Sequence, residues 1–295
     1  MSTAIIFGAT GQTGHYLAAS LTAIGMSVVK VSRRNSDRDM DVADFDDVER
    51  LIKEQRPEMI FHLAARSTTR HDAVLENHSS ISTGAINVLE AARRHATNAR
   101  IFITGSGVQF VNDGQPINEQ TPFDPSSPYA VARIHSVYAA RYYRKLNQKV
   151  YVGYLFHHES PLRPPGHVSQ KIATAVGAIA AGKKVELELG DLTVAKEWTF
   201  AGDVAEGILV LMNQDAIYEA VIGSGIAHTI EQWVAACFTA AKLEWRDHVR
   251  IIPGFRPEYR VLVSDPRRIL SLGWKPRMSM PQLAALMVDA AGNAT

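Results

Sequence analysis

The stretch Thr3-Ala-Ile-Ile-Phe-Gly8-Ala-Thr-Gly11-Gln-Thr-Gly14, close to the N-terminus of this 295-residue chain, decides the fold. Its first five residues are mostly apolar or β-branched and predict a buried strand, and a helical pattern begins near Thr13. Glycines between a strand and a helix permit a tight turn and let backbone N–H groups approach an anion at the helix N-terminus. The G-x-x-G-x-x-G spacing in this context predicts a site for the pyrophosphate of a dinucleotide, formed by Gly8, Thr10, Gly11, Gln12, Thr13 and Gly14.

Short strands and longer helices alternate through the first two thirds of the chain, which is typical of an α/β fold with a doubly wound parallel sheet, a Rossmann fold. We predict strands at Thr3–Phe7, Ser27–Val31, Met59–His62, Arg100–Thr104 and Val150–Leu155. We predict helices at Thr13–Ile24, Asp46–Glu54, Ser82–His95, Ser127–Leu146, Val168–Gly182, Asp203–Met212, Thr229–Ala241 and Met280–Ala291. Asp203 and Thr229 are the expected N-caps of their helices.

The regular alternation ends near residue 160, where proline- and glycine-rich pieces such as Leu162-Arg-Pro-Pro-Gly166 begin to interrupt the chain. We therefore assign residues 1–160 to the dinucleotide-binding domain and expect later strands to return to it from residues 195–225. Residues 161–295 are assigned mostly to a small C-terminal substrate-binding lobe.

The composition excludes several classes of partner and site. Lys and Arg number 31 against 30 Asp and Glu, so the net charge of +1 indicates neither nucleic acid nor a membrane as a partner. The single cysteine, Cys237, excludes an intramolecular disulfide, and its helical apolar surroundings predict a core position. Because the N-terminus lacks a basic region and no apolar run approaches about 20 residues, we expect a cytoplasmic protein. No metal is expected, because no second cluster at ligand spacing accompanies His157 and His158.

The end of the second predicted strand indicates which dinucleotide binds. An NAD site usually has an Asp or Glu there for the ribose 2′-hydroxyl, whereas this chain has Ser32, Arg33 and Arg34. Two arginines suit a 2′-phosphate, so we predict NADP as the cofactor. Asp37 or Asp39 could still reach the ribose, which leaves NAD open as an alternative.

The N-terminal glycine motif resembles that of the short-chain dehydrogenase/reductase superfamily, particularly its extended branch. Asp41-Val42 is similar to the pair that this superfamily places beside the adenine, and Leu63-Ala64-Ala65 is similar to its turn under the cofactor. The resemblance therefore adds Asp41, Val42, Leu63, Ala64 and Ala65 to the predicted cofactor contacts.

The same resemblance implies a catalytic set of Ser106, Tyr129 and Arg133. Ser106 stands where the superfamily has a Ser or Thr that binds the substrate oxygen, and Tyr129 and Arg133 stand in its Tyr-x-x-x-Lys motif. Residues four apart share one face of a helix, so both are also expected to contact the cofactor. A tyrosine phenol needs a nearby cation to exchange a proton at neutral pH. Arginine supplies that charge and binds ribose hydroxyls, but it cannot relay a proton.

Longer stretches are similar to the GDP-mannose 4,6-dehydratases and the related GDP-4-keto-6-deoxymannose reductases, over nearly the whole chain. Tyr154-Leu-Phe-His-His-Glu-Ser-Pro-Leu-Arg163 resembles the family's Leu-Phe-Asn-His-Glu-Ser-Pro-Arg-Arg, and Leu189–Trp198, Arg256-Pro257 and Leu272–Pro276 resemble further family motifs. This resemblance implies a homodimer and a nucleotide-diphosphate sugar as substrate. It also implies cofactor contacts from Phe156 and His158, and substrate contacts from Ser67, Ser106, Val108, His157, Lys171, Lys196 and Arg256.

One departure from the family bears on the reaction. The dehydratases have a glutamate that moves protons during elimination where this chain has Val108, and valine cannot act as an acid or base. The remaining residues predict an enzyme, an NADP(H)-dependent reductase of a keto group on a nucleotide-activated sugar, in particular a GDP-4-keto-6-deoxyhexose.

Two alternatives stay open. The first is a dehydratase or epimerase that uses another acid or base, such as Glu159 or a histidine. The second is a catalytically degenerate protein that only binds NADP or a nucleotide sugar, which Arg133 in the lysine position motivates.

Overall fold

The computed structural model describes residues 2–293. Its strands are β1 (Thr3–Phe7), β2 (Ser27–Ser32), β3 (Arg38–Asp39), β4 (Met59–His62), β5 (Arg100–Ser106), β6 (Lys149–Leu155), β7 (His158–Glu159), β8 (Leu187–Leu189), β9 (Ala195–Lys196), β10 (Thr199–Phe200), β11 (Glu219–Ile222), β12 (His228–Thr229), β13 (Val249–Ile251) and β14 (Val261–Leu262). Its helices are α1 (Gln12–Ala23), α2 (Phe45–Gln55), α3 (Val74–Asn77), α4 (Gly84–His95), α5 (Pro128–Lys145), α6 (Val168–Ala180), α7 (Ala201–Met212), α8 (Ile230–Ala240), α9 (Arg267–Ser271) and α10 (Met280–Asn293). Of these helices, all within residues 2–293, none has the length and apolar character needed to cross a membrane.

Seven parallel strands form the central sheet in the order β11-β6-β5-β4-β1-β2-β3. The chain starts in the middle at β1, moves outward to β2 and β3, and then returns to β4 on the other side of β1. The connections that leave β1 and β4 therefore diverge and open a crevice at the carboxyl edge of the sheet, where ligands bind in such folds. The predicted doubly wound α/β fold is confirmed.

Helices cover both faces of the sheet. Successive strand residues point to opposite sides, so apolar strands present apolar side chains to both faces. Ile5 of β1 lies in the core formed with α2, α4 and α5, where Val48 and Val137 are fully buried. Its neighbour Ile6 lies in the opposite core with Leu17 of α1 and Ile208 of α7. Both faces of β1 are thus buried, as its continuous apolar run predicts.

The C-terminal lobe has a separate core formed by α6, α8 and α10. Trp198 stacks on Trp233 there, with ring centroids 4.4 Å apart, and Cys237 is fully buried as predicted. Other segments beyond residue 160 join the sheet instead: β11 pairs with β6, while α7 and Trp274 pack in the core that contains α1.

The predicted N-cap at Thr229 is confirmed, whereas the one at Asp203 is wrong. The Thr229 hydroxyl accepts a 3.1 Å hydrogen bond from the Gln232 N–H. Helix α7 begins earlier, at Ala201, and the Asp203 carboxylate accepts bonds of 2.9 and 3.0 Å from the N–H groups of Arg277 and Met278. The Asp203 carboxylate therefore accepts from a distant segment of chain and not from the first N–H groups of its own helix.

Helix α5 leaves an apolar stripe in contact with solvent. Val131, Tyr138 and Tyr142 are 49%, 58% and 58% exposed, and their spacing places them on one face. Contiguous exposed apolar patches on a soluble domain commonly mark interaction surfaces.

Candidate active site

A cleft of about 840 Å³ opens above the loop that follows β1, and we call it the glycine-loop cleft. It lies at the crevice that the strand order creates. Eleven of the residues predicted to bind cofactor line this cleft, namely Gly8, Thr10, Gly11, Ser32, Arg33, Arg34, Asp41, Val42, Leu63, Ala64 and Ala65. Sequence reasoning missed five other lining residues, namely Phe7, Val31, Asn35, Met40 and Ser80.

Two glycines of the motif hold positions that a larger residue could not occupy. Gly8 has φ +87°, and a Cβ there would lie 2.6 Å from the Ala64 nitrogen. A Cβ on Gly14 would lie 2.6 Å from the Gly8 carbonyl oxygen. The loop therefore packs closely against the turn after β4 and the start of α1. Because its glycines carry no side chains, a pyrophosphate could approach the loop backbone.

The side chains of Gln12 and Thr13 bond the segment after β6 and do not line the cleft. Gln12 Nε2 donates to the His158 carbonyl at 3.0 Å, and Gln12 Oε1 accepts from the Ser160 hydroxyl at 2.8 Å. His158 Nδ1 lies 2.8 Å from the Phe156 carbonyl, so it carries the proton, and Nε2 accepts from the Thr13 hydroxyl at 2.9 Å. His158 and Ser160 therefore hold the start of α1, and the Phe156 carbonyl fixes the orientation of the His158 ring.

The carboxylates that could have reached the ribose hydroxyls point elsewhere. Asp37 accepts from the Lys30 N–H at 3.0 Å, and Asp39 accepts from the N–H and hydroxyl of Ser36. Neither of them lines the glycine-loop cleft, whereas Arg33 and Arg34 do. Among residues 2–293, the cationic side chains that line this cleft are therefore those of the two predicted arginines.

Tyr129 and Arg133 occupy the first turns of α5, which the Ser127 hydroxyl caps by accepting from the Ala130 N–H. Both are nearly buried, and the Arg133 guanidinium lies 5.0 Å from the centre of the Tyr129 ring. Arg133 Nη1 donates to the Thr104 carbonyl at 2.7 Å, while its buried Nε has no partner among the described residues. The arginine therefore joins α5 to the last residues of β5.

Tyr129 packs in a small apolar cluster that includes Val108. The buried members are Ile81, Tyr129 and Ala132, with Ala65 and Val108 packed against them. Val108 therefore presents methyl groups to the tyrosine. Nearby, the Ser106 N–H donates to Gln109 Oε1 at 2.8 Å, which fixes the turn that carries the predicted catalytic hydroxyl.

His62 belongs to this region and was missed by sequence reasoning. It ends β4, its Nε2 lies 3.3 Å from the Ile81 carbonyl, and its side chain is 1% exposed. Burial and the nearby Arg133 lower the pKa of His62 to about 4, so the imidazole is neutral at pH 7. Its place directly before the Leu63-Ala64-Ala65 turn is the signal that could have identified it.

A second cleft of about 640 Å³, the lobe cleft, lies between the β5–α5 connection and the C-terminal lobe. Val108 is the one predicted substrate residue among those that line it, and Ser67, Ser106, His157, Lys171, Lys196 and Arg256 lie outside the lining. The lining residues that sequence reasoning missed are Thr69, Phe110, Asn112, Asp113, Gly114, Asp124, Ser126, Ser127, Glu258, Tyr259, Arg260, Val261 and Leu262. The Arg256-Pro257 motif just before Glu258 was the available signal for the last five.

The three cations predicted to bind phosphates have different surroundings. Lys171 is exposed and donates to the Glu188 carbonyl at 2.6 Å, and Arg256 is exposed. Lys196 is buried, with Nζ 4.9 Å from the centre of the Trp198 ring, and burial lowers its pKa to about 8. The structure thus shows no contact among these three described cations, and their grouping around one phosphate stays a prediction.

Glu159, the alternative acid or base, is fully buried and paired. Its carboxylate lies 2.7 Å from Arg163 Nε and 2.6 Å from His157 Nε2. Burial alone would raise the pKa of Glu159, but Arg163 and His157 outweigh it and hold the pKa below the usual range. Burial and Lys196 lower the pKa of His157 to about 3. A carboxylate fixed in this way lines neither cleft, which counts against a role for Glu159 in proton transfer.

A seven-stranded doubly wound sheet, a glycine loop under a cleft, and a tyrosine with a cation four residues later define an extended short-chain dehydrogenase/reductase. The family model for GDP-mannose 4,6 dehydratase matches residues 5–287. GDP-mannose 4,6 dehydratase 2 of Arabidopsis thaliana is 31% identical over 97% of this chain and 86% of its own length. The chain therefore belongs to the GDP-mannose 4,6-dehydratase family, and the resemblance seen in the sequence is confirmed.

Solved structures agree with this fold. RMD from Pseudomonas aeruginosa, complexed with NADPH, has a TM-score of 0.85 at 21% identity, with coverage of 100% of this chain and 99% of that one. The UDP-glucose 4-epimerase of Thermus thermophilus, complexed with NAD, also has a TM-score of 0.85, at 22% identity, with coverage of 99% and 100%. Similar architectures thus occur with either nicotinamide cofactor.

Proposed function

We propose that this protein is an NADP(H)-dependent reductase of a keto group on a nucleotide-activated sugar, in particular a GDP-4-keto-6-deoxyhexose. The observation that carries the proposal is Val108, which lines the lobe cleft and packs against Tyr129 where a dehydratase has its glutamate. Reduction needs a hydride, a proton donor and a group that holds the oxygen, whereas elimination also needs an acid/base at this point. The GDP-mannose 4,6-dehydratase family supports the class of substrate.

In the proposed reaction, three side chains act on the carbonyl oxygen or on the cofactor. When bound, the nicotinamide supplies the hydride. Tyr129 donates its proton to the carbonyl oxygen, and Ser106 holds that oxygen by a hydrogen bond. Arg133 supplies positive charge and contacts the ribose hydroxyls, and its bond to the Thr104 carbonyl fixes its position.

The proposed cofactor is NADP(H), held along the glycine-loop cleft by the glycine backbone, Ser32, Arg33 and Arg34. The Ser32 hydroxyl accepts from the N–H and hydroxyl of Thr10 at 3.2 and 3.1 Å, which fixes the end of β2 against the glycine loop. A 2′-phosphate suits the two arginines, and neither Asp37 nor Asp39, the carboxylates nearest the end of β2 in sequence, lines the cleft beside them.

The double substitution Arg33→Ala and Arg34→Ala should weaken NADPH binding about tenfold or more and leave NADH binding much less affected. A hydrogen bond to a charged group is worth about 1.5–3 kcal/mol, and only NADPH has the phosphate that receives it. Calorimetric titration with both cofactors measures this. Arg38→Ala removes a cation from β3, which does not line the cleft, and serves as the control. Equal losses for NADPH and NADH would contradict the assignment.

The proposed substrate position is the lobe cleft, and Lys171, Lys196 and Arg256 are proposed diphosphate contacts outside its lining. His157 and Ser67 belong to the same proposal as substrate contacts, although neither lines the cleft. Arg260 adds a cation to the lining, and cations are the side chains that phosphates favour.

A dehydratase is the second candidate, favoured by two observations. The curated Arabidopsis relative is named a GDP-mannose 4,6 dehydratase. Asp124 and Glu258 also line the lobe cleft together with Val108, so a carboxylate is available there from a different part of the chain. Such an enzyme would regenerate its cofactor within each turnover.

Supplying the purified protein with NADPH and a GDP-4-keto-6-deoxyhexose should consume one NADPH per sugar reduced, measured as loss of absorbance at 340 nm. GDP-mannose incubated with the protein and NADP should give no 4-keto-6-deoxy product by NMR, because Val108 cannot transfer the proton. Formation of that product without net cofactor consumption would overturn the reductase proposal in favour of the dehydratase.

A further inference from the structure

Glu76 of α3 joins two arginines from different parts of the chain. Its Oε1 accepts from Arg33 Nη2 at 3.1 Å, and its Oε2 accepts from Arg66 Nη1. Hydrogen bonds from these two guanidinium groups, with Arg66 the stronger influence, lower the pKa of Glu76. The carboxylate is therefore ionised at neutral pH and bound to both cations.

These three residues connect the two sides of the glycine-loop cleft. Arg33 lines the cleft after β2, and Arg66 directly follows Ala65, which lines it after β4. On the β4 side, the hydroxyl of the lining residue Ser80 donates to the Glu76 carbonyl at 2.7 Å. The Arg33 side chain is 62% exposed and that of Glu76 is 30% exposed, so both remain accessible to a ligand.

We propose that Glu76 occupies the anion position of the adenosine 2′-phosphate and competes with that phosphate for Arg33. This inference rests on the proposed NADP site. A dianionic phosphate next to Arg33 would repel the Glu76 carboxylate, which then has to turn away and keep Arg66 as its partner. Glu76 thereby reduces the preference for NADP over NAD, and it does so without contacting the part of the dinucleotide that NADP and NAD have in common.

The effect should be modest, because ion pairs between exposed side chains contribute little. Releasing Arg33 by Glu76→Gln should tighten binding of a ribose 2′-phosphate about two- to fivefold. The same substitution should leave a nucleotide that lacks this phosphate unchanged. If Glu76 acted only as a nearby negative charge and did not compete for Arg33, it would instead weaken the binding of every anionic nucleotide to a similar degree.

The test is calorimetric titration with 2′,5′-ADP and 5′-AMP, which differ in the 2′-phosphate. We expect Glu76→Gln to tighten 2′,5′-ADP and not 5′-AMP, and the gain to vanish in the double variant with Arg33→Ala. Glu186→Gln makes the same change of charge at an exposed position between α6 and β8 and should change neither affinity. Thermal unfolding of each variant confirms that the fold is retained.

Equal tightening of both probes, or no change in either, would overturn the role of Glu76. Failure of the cofactor assignment itself has a different result: the wild type would then bind 2′,5′-ADP no more tightly than 5′-AMP, and Arg33→Ala would affect both alike. Persistence of the gain when Arg33 is removed would also overturn the proposal, because the competition is for that side chain.

Discussion

Replacing Tyr129 with phenylalanine should lower the turnover of keto-sugar reduction by about two to four orders of magnitude, the range expected for loss of a general acid. The substitution removes only the hydroxyl, since the ring still packs with Ile81 and Ala132 and still lies beneath the Arg133 guanidinium. NADPH affinity should therefore stay nearly unchanged. Steady-state rates at saturating NADPH and a separate titration of the cofactor measure the two quantities.

Tyr138→Phe is the matched control for this prediction. It lies on the same helix, two and a half turns later, and its side chain is 58% exposed. Removing its hydroxyl should leave turnover close to that of the wild type. A loss of less than tenfold in Tyr129→Phe, or an equal loss in Tyr138→Phe, would show that the Tyr129 phenol is not the proton donor.

Arg133→Ala should reduce both turnover and cofactor affinity, because one side chain supplies charge next to the phenol and contacts to the ribose. A lost bond from a charged group corresponds to about tenfold to a hundredfold in NADPH affinity. The substitution also removes the donor to the Thr104 carbonyl, so a loss of stability accompanies it. Denaturant unfolding separates that loss from the kinetic effect, and unchanged NADPH affinity in a folded Arg133→Ala protein would contradict the ribose contact.

Arg133→Lys distinguishes a working enzyme from a degenerate one. Lysine restores the superfamily's motif and can relay a proton, so we expect turnover to be kept or raised. If the wild type reduces no keto sugar and Arg133→Lys creates that activity, the natural protein is better described as a nucleotide-binding module than as a reductase.

The glycine-loop cleft could be predicted from the sequence because its chemistry is local. Strand β1 begins at Thr3 and helix α1 at Gln12, with the spaced glycines around their connection, and the end of β2 adds Ser32 and Arg33. Parallel strands bring their carboxyl ends to one edge, so residues after β1, β2 and β4 had to meet there. The structure brings these predicted residues together.

The lobe cleft could not be predicted in the same way. Its lining comes from the irregular connection before α5 and from the segment around β14, which share no periodicity and meet only through the tertiary fold. The burial of Lys196 and the pairing of Glu159 with Arg163 have the same origin. Asp203 is a further example, because its hydrogen-bond partners lie more than 70 positions away and local sequence could not indicate them.

The hydrogen bonds that join Gln12 and Thr13 with His158 and Ser160 connect the glycine loop to the chain segment that leads into the C-terminal lobe. A ligand that orders one side of this connection lowers the entropy that the other ligand must lose. If cofactor binding orders this connection, the two binding free energies are coupled, and thermodynamic reciprocity then requires the cofactor to favour the sugar nucleotide by the same factor as the sugar nucleotide favours the cofactor. Removing the Thr13 hydroxyl would weaken that mutual dependence from both directions at once.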